Sequence, residues 1–289
     1  MRYLDPVSLA KLRNLRLELR SLSAEGTAAG RHRSPWKGLS QDFAQHRPYA
    51  PGDEIKALDW KVYARQDRYY VREYTAENVL TTHVLLDASG SMAYASGGRE
   101  RKYDHAARLA MAVSYLVTAG GDAAGLTAFG GSGFSMPPRS TLGHLEALDG
   151  LLARAEPSGE TELGGALERA ASDIKRRSLV VLISDLLGEP QSLVRAIKAL
   201  KARRHEVLVL QVLDPQERDF DFEGPTVFES LEAQPEIFCD AGALRDLYRS
   251  EFEKLLKLYE STFHRSDISY APFFTDRPWE LALGRFLMK

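Results

Sequence analysis

The sequence predicts an α/β protein built on a doubly wound, mainly parallel sheet. Two short apolar runs, at 84–86 and 179–183, lead into an aspartate, as buried parallel strands often do. Stretches with helical spacing of apolar residues separate these runs, and strands that alternate with helices indicate a sheet covered on both faces. The chain has 289 residues, of which 44% are hydrophobic and 27% charged, so it can bury a large core.

The predicted elements of this sheet run from residue 79 to residue 289, which we expect to form one domain. Strands are predicted at 84–87, 125–129, 134–136, 179–183, 206–213 and 268–273, and helices at 102–117, 141–154, 163–176, 192–203, 243–263 and 278–288. Apolar residues in 219–240 predict an inserted pair of short strands. The glycines at 130, 131 and 133 predict a hairpin turn after the second strand.

Residues 1–78 are predicted to form an N-terminal extension that packs on this domain. Asp5 and Pro6 are typical of a helix start, and leucines at three- and four-residue spacing continue to residue 22. A helix lying on a membrane surface is the alternative interpretation. From 24 to 80 the helical pattern is lost, and short strands and turns are predicted. We expect most aromatic side chains there to be buried, namely Trp36, Phe43, Tyr49, Trp60, Tyr63, Tyr69 and Tyr70.

Oxygen-bearing side chains follow the first and fourth predicted strands. Asp87, Ser89 and Ser91 come directly after the first strand, and Asp185 comes after the fourth. Thr161 precedes a predicted helix. Carboxylate and hydroxyl oxygens are the ligands that a small hard cation prefers, so these five residues are candidate ligands of Mg²⁺ or Mn²⁺.

The strand order expected of a doubly wound sheet supports this grouping. In such sheets the first and fourth strands are neighbours, and the loops that leave their carboxyl ends open a crevice. Asp87 and Asp185 are therefore expected to lie close together. The alternative is that these acids and hydroxyls only cap helices and loops and bind no metal.

Asp87-x-Ser89-x-Ser91, followed by Thr161 and Asp185, resembles the metal-ion-dependent adhesion site of von Willebrand factor A domains. The resemblance implies that these residues hold the metal directly or through water. It also implies a protein that binds partners and is not an enzyme. In that interpretation one coordination position is left for a carboxylate from a partner protein.

A second set of residues lies upstream of the first strand. It comprises Arg47, Tyr49, Pro51, Gly52, Asp53, Asp59, Trp60, Arg65 and Arg72. With this spacing the chain resembles domain-of-unknown-function family fifty-eight, a bacterial family with a von Willebrand A-like domain. Genes of that family commonly lie beside genes for MoxR-type AAA+ ATPases, so the resemblance implies such an ATPase as a partner. The charged members of the set are expected to form an internal ion network, and a partner surface is the alternative.

Composition and motifs narrow the classes of function. The formal net charge is −2, and residues 1–80 hold 14 Lys and Arg against 10 Asp and Glu, which is too weak a bias for a dedicated nucleic-acid binder. The single cysteine, Cys239, excludes an intrachain disulfide and fits the cytoplasm. Zinc-protease and serine-hydrolase motifs are absent from the sequence. A Mg²⁺-dependent phosphoryl transferase remains the enzymatic alternative.

Overall fold

The computed structural model describes residues 1–12, 43–51, 53, 58–74, 80–160, 162–232 and 236–287. Contacts divide the chain into a larger unit, Met1–Ala28 with Leu80–Lys289, and a smaller unit, Ala29–Val79. The expected boundary at residue 78 placed the N-terminal helix with the extension, and the contacts place it with the sheet. None of the helices in the described ranges is both long and apolar enough to pass through a membrane.

A six-stranded sheet forms the centre of the larger unit. Its strands are β3 (Thr81–Asp87), β4 (Ala123–Phe129), β5 (Phe134–Arg139), β6 (Leu179–Ser184), β7 (Glu206–Leu213) and β10 (Ser269–Phe274). Their order is β10-β7-β6-β3-β4-β5, and every neighbouring pair is parallel except β4 and β5. The predicted mainly parallel α/β architecture is confirmed.

Helices cover both faces of this sheet. They are α1 (Pro6–Leu12), α3 (Lys102–Ala119), α4 (Leu142–Arg154), α5 (Leu163–Asp173), α6 (Pro190–Ala202), α8 (Ala241–Arg265) and α9 (Trp279–Leu287). Side chains of α1, α3, α4 and α9 pack with Val84 and Leu86, whereas side chains of α5, α6 and α8 pack with Leu85. Because successive side chains of a strand point to opposite faces, β3 contributes to two separate cores.

The first helix is anchored in the larger unit. A carboxylate oxygen of Asp5 accepts a hydrogen bond from the Ser8 N–H at 2.8 Å, which caps the helix start as predicted. Leu12 at its end is fully buried with the residues of α3. The predicted continuation to residue 22 lies outside the described residues.

The segment after β7 differs from the prediction. Pro215–Asp219 forms a short helix, α7, where no element was predicted. The Asp214 side chain accepts from the helix backbone and the Glu217 side chain accepts from the Asp214 N–H, which is a capping box. The predicted short-strand pair is confirmed further on, where β8 (Pro225–Phe228) pairs antiparallel with β9 (Ile237–Asp240).

The smaller unit contains an antiparallel pair of strands, β1 (Phe43–Pro48) and β2 (Tyr70–Tyr74), and the helix α2 (Trp60–Gln66). Asp59 caps α2 and also contacts His46 Nε2 at 3.0 Å. Arg47 Nη2 donates to both carboxylate oxygens of Asp53, at 2.7 and 2.8 Å. Two of the charged residues of the predicted ion network, Arg47 and Asp53, are thus paired with each other.

Arg65, another charged residue of that set, does not join an ion network within the described ranges. Arg65 is exposed and forms no ion pair with another residue of the described ranges. Pro51 lies in an exposed turn. The side chain of Arg72 lies outside the described part of the chain, so its place in the ion network stays a prediction. Gly52 also lies outside the described part.

The expectation that the aromatic side chains of this unit are mostly buried is wrong for three of them. Trp60 is 56% exposed, Tyr69 50% and Tyr49 37%. Their rings contact neighbouring tyrosines: Tyr69 stacks on Tyr63 with ring centres 4.5 Å apart, and Trp60 meets Tyr63 edge to face. Trp36 and the side chain of Phe43 are outside the described residues.

Candidate metal site

The two aspartates of the predicted site follow neighbouring strands. β3 and β6 pair in parallel with Leu86 opposite Ile183, so Asp87 and Asp185 emerge at the same edge of the sheet. Between them, the Ser184 hydroxyl donates to Oδ2 of Asp87 at 2.6 Å. Asp87 is 3% exposed and Asp185 1%. The strand order therefore brings two buried carboxylates together.

The loop after β3 adds two hydroxyl groups beside Asp87. The Ser89 N–H donates to Oδ1 of Asp87 at 3.0 Å, and the Oγ atoms of Ser89 and Ser91 lie 3.0 Å apart. A tight turn begins at Gly90, and both serine side chains are shielded from solvent. Four of the five predicted ligands thus lie in one region of the sheet edge.

The fifth predicted ligand, Thr161, lies outside the described residues. The loop that precedes it contacts the β3 loop through two backbone hydrogen bonds. The Ser158 N–H donates to the carbonyl of Ala88 at 3.1 Å, and the Gly90 N–H donates to the carbonyl of Gly159 at 2.8 Å. Residues 158 and 159 therefore border the site.

A buried lysine also occupies this region. Lys102, at the start of α3, is fully buried, and its Nζ donates to Oδ2 of Asp185 at 2.8 Å and to Oε1 of Glu217 at 2.6 Å. Burial alone would lower the pKa of Lys102, but the charges of Asp185 and Glu217 outweigh burial and hold this pKa above its ordinary value. Lys102 is therefore a permanent cation beside Asp185.

The carboxylates still outnumber this cation. Burial, and secondly the charge of Asp185, raises the pKa of Asp87 from 3.8 to about 6. Burial likewise raises the pKa of Glu217. Asp185 and Glu217 contact the single ammonium of Lys102, and with Asp87 the three carboxylates exceed it by two negative charges when all are ionised. A divalent cation matches that deficit.

The donor set fits Mg²⁺ or Mn²⁺ better than a softer metal. The side chains of Asp87, Ser89, Ser91 and Asp185 offer only oxygen atoms, which Mg²⁺ and Mn²⁺ prefer. In the ranges that the structure describes, no group of three or more His, Cys, Asp or Glu side chains is placed to hold a metal. A metal at this edge therefore depends on the serine hydroxyls and on water for its remaining ligands.

Three further side chains reach the region, and none of them was predicted from the sequence as part of the site. Lys102 and Glu217 form the ion pairs above, and Glu232 accepts a hydrogen bond from the Ser91 N–H at 3.0 Å. The Asp-Pro-x-Glu pattern at 214–217 is a helix-start signal that points to the position of Glu217. Lys102 and Glu232 have no comparable local signal, because each reaches the site only through tertiary packing.

Comparison with known proteins identifies the family. Residues 45–259 match the model of the family described as "Protein of unknown function DUF58". The chain belongs to the DUF58 family. This membership covers both the Arg47–Asp53 ion pair and the sheet edge with Asp87 and Asp185. It confirms the family expected from the resemblance.

The DUF58 chain is similar over nearly its whole length to mycobacterial proteins. It is 30% identical over 297 residues to the uncharacterized proteins Mb1516 of Mycobacterium bovis and Rv1480 of Mycobacterium tuberculosis. In each case the alignment covers 98% of this chain and 90% of the relative. The uncharacterized protein MAV169 of Mycobacterium avium is 32% identical over 145 residues, which are 46% of this chain and 79% of that protein.

Two solved structures are also similar to the DUF58 chain. One is the conserved hypothetical protein BatB from Bacteroides thetaiotaomicron, at 19% identity and a TM-score of 0.47, with 72% of this chain and 97% of that chain covered. The other is an aerotolerance-related membrane protein from Bacteroides fragilis, at 20% identity and a TM-score of 0.46, with 72% and 98% covered.

Proposed function

We propose that this DUF58 protein is a non-catalytic, Mg²⁺-dependent adaptor that binds a carboxylate of a partner protein at the edge formed by β3 and β6. The observation that carries the proposal is the buried pair Asp87 and Asp185 beside the hydroxyls of Ser89 and Ser91. Burial, and secondly the charge of Asp185, raises the pKa of Asp87, so the ionised Asp87 carboxylate is destabilised unless a further cation approaches. A metal would supply that cation and a point of attachment for an anionic ligand.

Two kinds of side chain would hold the metal. The Asp87 and Asp185 carboxylates supply charge, and the Ser89 and Ser91 hydroxyls supply neutral oxygens, each directly or through water. Thr161 is proposed as a further hydroxyl ligand. Since the ligands include only two acids, a bound divalent cation retains affinity for a further carboxylate. This is the chemistry expected of a site that recognises an Asp or Glu side chain of another protein.

The proposed partner system includes a MoxR-type AAA+ ATPase. The support for it is membership of the DUF58 family, together with the link to such ATPases that the resemblance implied. In this proposal the protein links the ATPase to a second protein that donates the carboxylate. We also propose that the protein acts in the cytoplasm.

A second candidate function, a metal-free scaffold, is favoured by the protein donors around the two aspartates. Lys102 donates to Oδ2 of Asp185, and the Leu187 N–H donates to Oδ1 at 3.1 Å. Asp87 accepts from Ser89 and Ser184. Each carboxylate oxygen thus has a donor within the chain, and the site is internally hydrogen-bonded without a metal.

Calorimetric titration of Mg²⁺ and Mn²⁺ into metal-stripped protein separates the two candidates. We expect saturable binding at one site in the wild type, loss of binding in Asp87→Ala, and unchanged binding in Asp173→Ala, which removes an exposed carboxylate from α5. The same titration is repeated with the purified ATPase present. Binding that is absent under both conditions, or equal in Asp87→Ala and wild type, would contradict the adaptor and support the scaffold.

A further inference from the structure

The connection between β8 and β9 brings a glutamate to the candidate metal site. Glu232 lies 141 residues away from Ser91 in the chain, and its Oε1 accepts the Ser91 N–H at 3.0 Å. The Glu232 N–H in turn donates to the Ser230 hydroxyl at 3.0 Å, which fixes the backbone of the connection locally. The glutamate is therefore held in place from both its backbone and its side chain.

The backbone of this connection also lies directly on the ligand loop. A Cβ atom added to Gly90 would collide with the carbonyl oxygen of Leu231. Glycine at position 90 thus permits the close approach of residues 231 and 232 to the loop that carries Ser89 and Ser91. The contact is part of the packing of the larger unit and involves both backbone and side chain.

The second carboxylate oxygen of Glu232 is available for another interaction. Within the described ranges, the hydrogen bonds of the Glu232 carboxylate are limited to the one that Oε1 accepts from Ser91. A carboxylate that uses one oxygen for a backbone N–H keeps the lone pairs of the other for a cation. Glu232 is also partly exposed, so it can be replaced by a group from outside without unfolding of the core.

We propose that Glu232 turns its second carboxylate oxygen to the metal when one binds beside Asp87 and Asp185, and so becomes the chain's own carboxylate ligand. This inference rests on the proposed Mg²⁺-dependent function and deepens it. Glu232 would take the coordination position left for a partner carboxylate, while its Oε1 keeps the hydrogen bond from the Ser91 N–H. The free protein is therefore closed, and a partner binds only by displacing Glu232.

Mn²⁺ is the probe for the test, because its affinity and its bound water can both be measured. Wild type is compared with Glu232→Gln, which keeps an acceptor for the Ser91 N–H but removes the charge. The control is Glu229→Gln, which removes an exposed charge from the same connection. We expect Glu232→Gln to bind Mn²⁺ about tenfold more weakly and to gain one rapidly exchanging water, measured by calorimetry and water-proton relaxation. We expect Glu229→Gln to match the wild type.

Acetate tests the displacement directly. In Glu232→Ala, added acetate is expected to raise the Mn²⁺ affinity and to remove the additional water, because it replaces the missing carboxylate. In the wild type and in Glu229→Ala it is expected to change neither quantity. An equal effect of acetate on all three proteins would overturn the proposal.

The outcomes distinguish this inference from the proposed function. If the wild type does not bind Mn²⁺, both the metal-dependent function and the role of Glu232 as a ligand are overturned. If the wild type binds Mn²⁺ through Asp87, and Glu232→Gln matches it in Mn²⁺ affinity and in the number of bound waters, only the role of Glu232 as a ligand is overturned. Amide hydrogen exchange at Ser91 in the metal-free proteins shows that each variant is folded. Exchange of the Ser91 amide is expected to be faster in Glu232→Ala than in Glu229→Ala, because Glu232→Ala removes the acceptor of this N–H.

Discussion

Nζ of Lys102 lies 2.8 Å from Oδ2 of Asp185, and neither side chain is more than 1% exposed. The same ammonium donates to Glu217 at 2.6 Å. Such buried ion pairs are destabilising to break, because the partner that remains is left charged and without water. Lys102 therefore holds together the end of β6, the start of α3 and the short helix α7, which are the elements around the candidate metal site.

Replacement of this lysine gives a first prediction. We expect Lys102→Met to lower the free energy of unfolding by about 3–5 kcal/mol, since Asp185 and Glu217 lose their cation while the methylene packing is largely kept. Chemical denaturation measures the change. Lys198→Met, on the exposed side of α6, is the control and is expected to change stability by less than about 0.5 kcal/mol.

Added Mg²⁺ extends this experiment. A divalent cation at the site would compensate part of the charge that Lys102→Met leaves behind, so Mg²⁺ is expected to stabilise this variant more than the wild type. Equal stability of Lys102→Met and wild type would show that the ion pairs contribute nothing net to folding.

The raised pKa of Asp87 gives a prediction about pH. Burial and the charge of Asp185 raise this pKa from 3.8 to about 6, so the folded protein binds more protons than the unfolded chain between these values. The contribution of Asp87 to stability is therefore present below about pH 4 and is lost as the pH rises through 6. The ionised group costs the metal-free protein about 3 kcal/mol at pH 7.

Asp87→Asn isolates this effect, because it removes the charge and keeps the shape. In metal-free protein, the stability of Asp87→Asn relative to wild type is expected to rise by about 3 kcal/mol between pH 4 and pH 7, measured by urea unfolding at several pH values. Asp173→Asn serves as the exposed control, with no such trend. A difference between Asp87→Asn and wild type that stays constant over this range would argue against a raised pKa.

Asp214 gives a prediction about the capping of α7. Its buried carboxylate accepts from the N–H and hydroxyl of Ser96 and from the N–H of Gln216, at 3.1, 2.5 and 2.8 Å. We expect Asp214→Ala to cost about 3 kcal/mol, because a cap is lost and buried donors are left without an acceptor. Asp240→Ala removes an exposed cap of α8 and is expected to cost about 1 kcal/mol or less. Similar losses in the two variants, by thermal or chemical unfolding, would contradict this account.

The smaller unit offers a prediction about Arg47. Arg47 donates through Nη2 to both carboxylate oxygens of Asp53 and through Nη1 to the carbonyl of Pro48, whereas a lysine keeps the charge but has only one nitrogen for these contacts. The Ala50 N–H, which donates to Oδ2 of Asp53 at 2.9 Å, reports on the local turn. We expect Arg47→Lys to speed hydrogen exchange of this amide about fivefold, as a loss of about 1 kcal/mol would do.

Arg65→Lys is the matched control for Arg47→Lys, because it makes the same change at an exposed site of the same unit. It is expected to leave the exchange of Ala50 unchanged. If both variants accelerate exchange equally, the guanidinium of Arg47 has no special role.

The sheet and one side of the site could be predicted from the sequence alone. Local apolar runs define β3 and β6, and the strand order of doubly wound sheets predicts that these two strands are neighbours. For that reason Asp87 and Asp185 were expected together, and β3 and β6 do pair. Ser89 and Ser91 follow from their position directly after β3. In each case the information lies within a few residues or in a general rule of topology.

Tertiary structure alone decided what surrounds these residues. Lys102 meets an aspartate 83 residues away, and Glu232 meets Ser91 from a distance of 141 residues. Nothing in the local sequence encodes such contacts, because they depend on how α3 and the β8–β9 connection pack at the sheet edge. The exposed Trp60 and Tyr69 show the same principle, since burial depends on packing partners and not on residue type. The charge balance of the site was therefore set by residues that only the fold brings there.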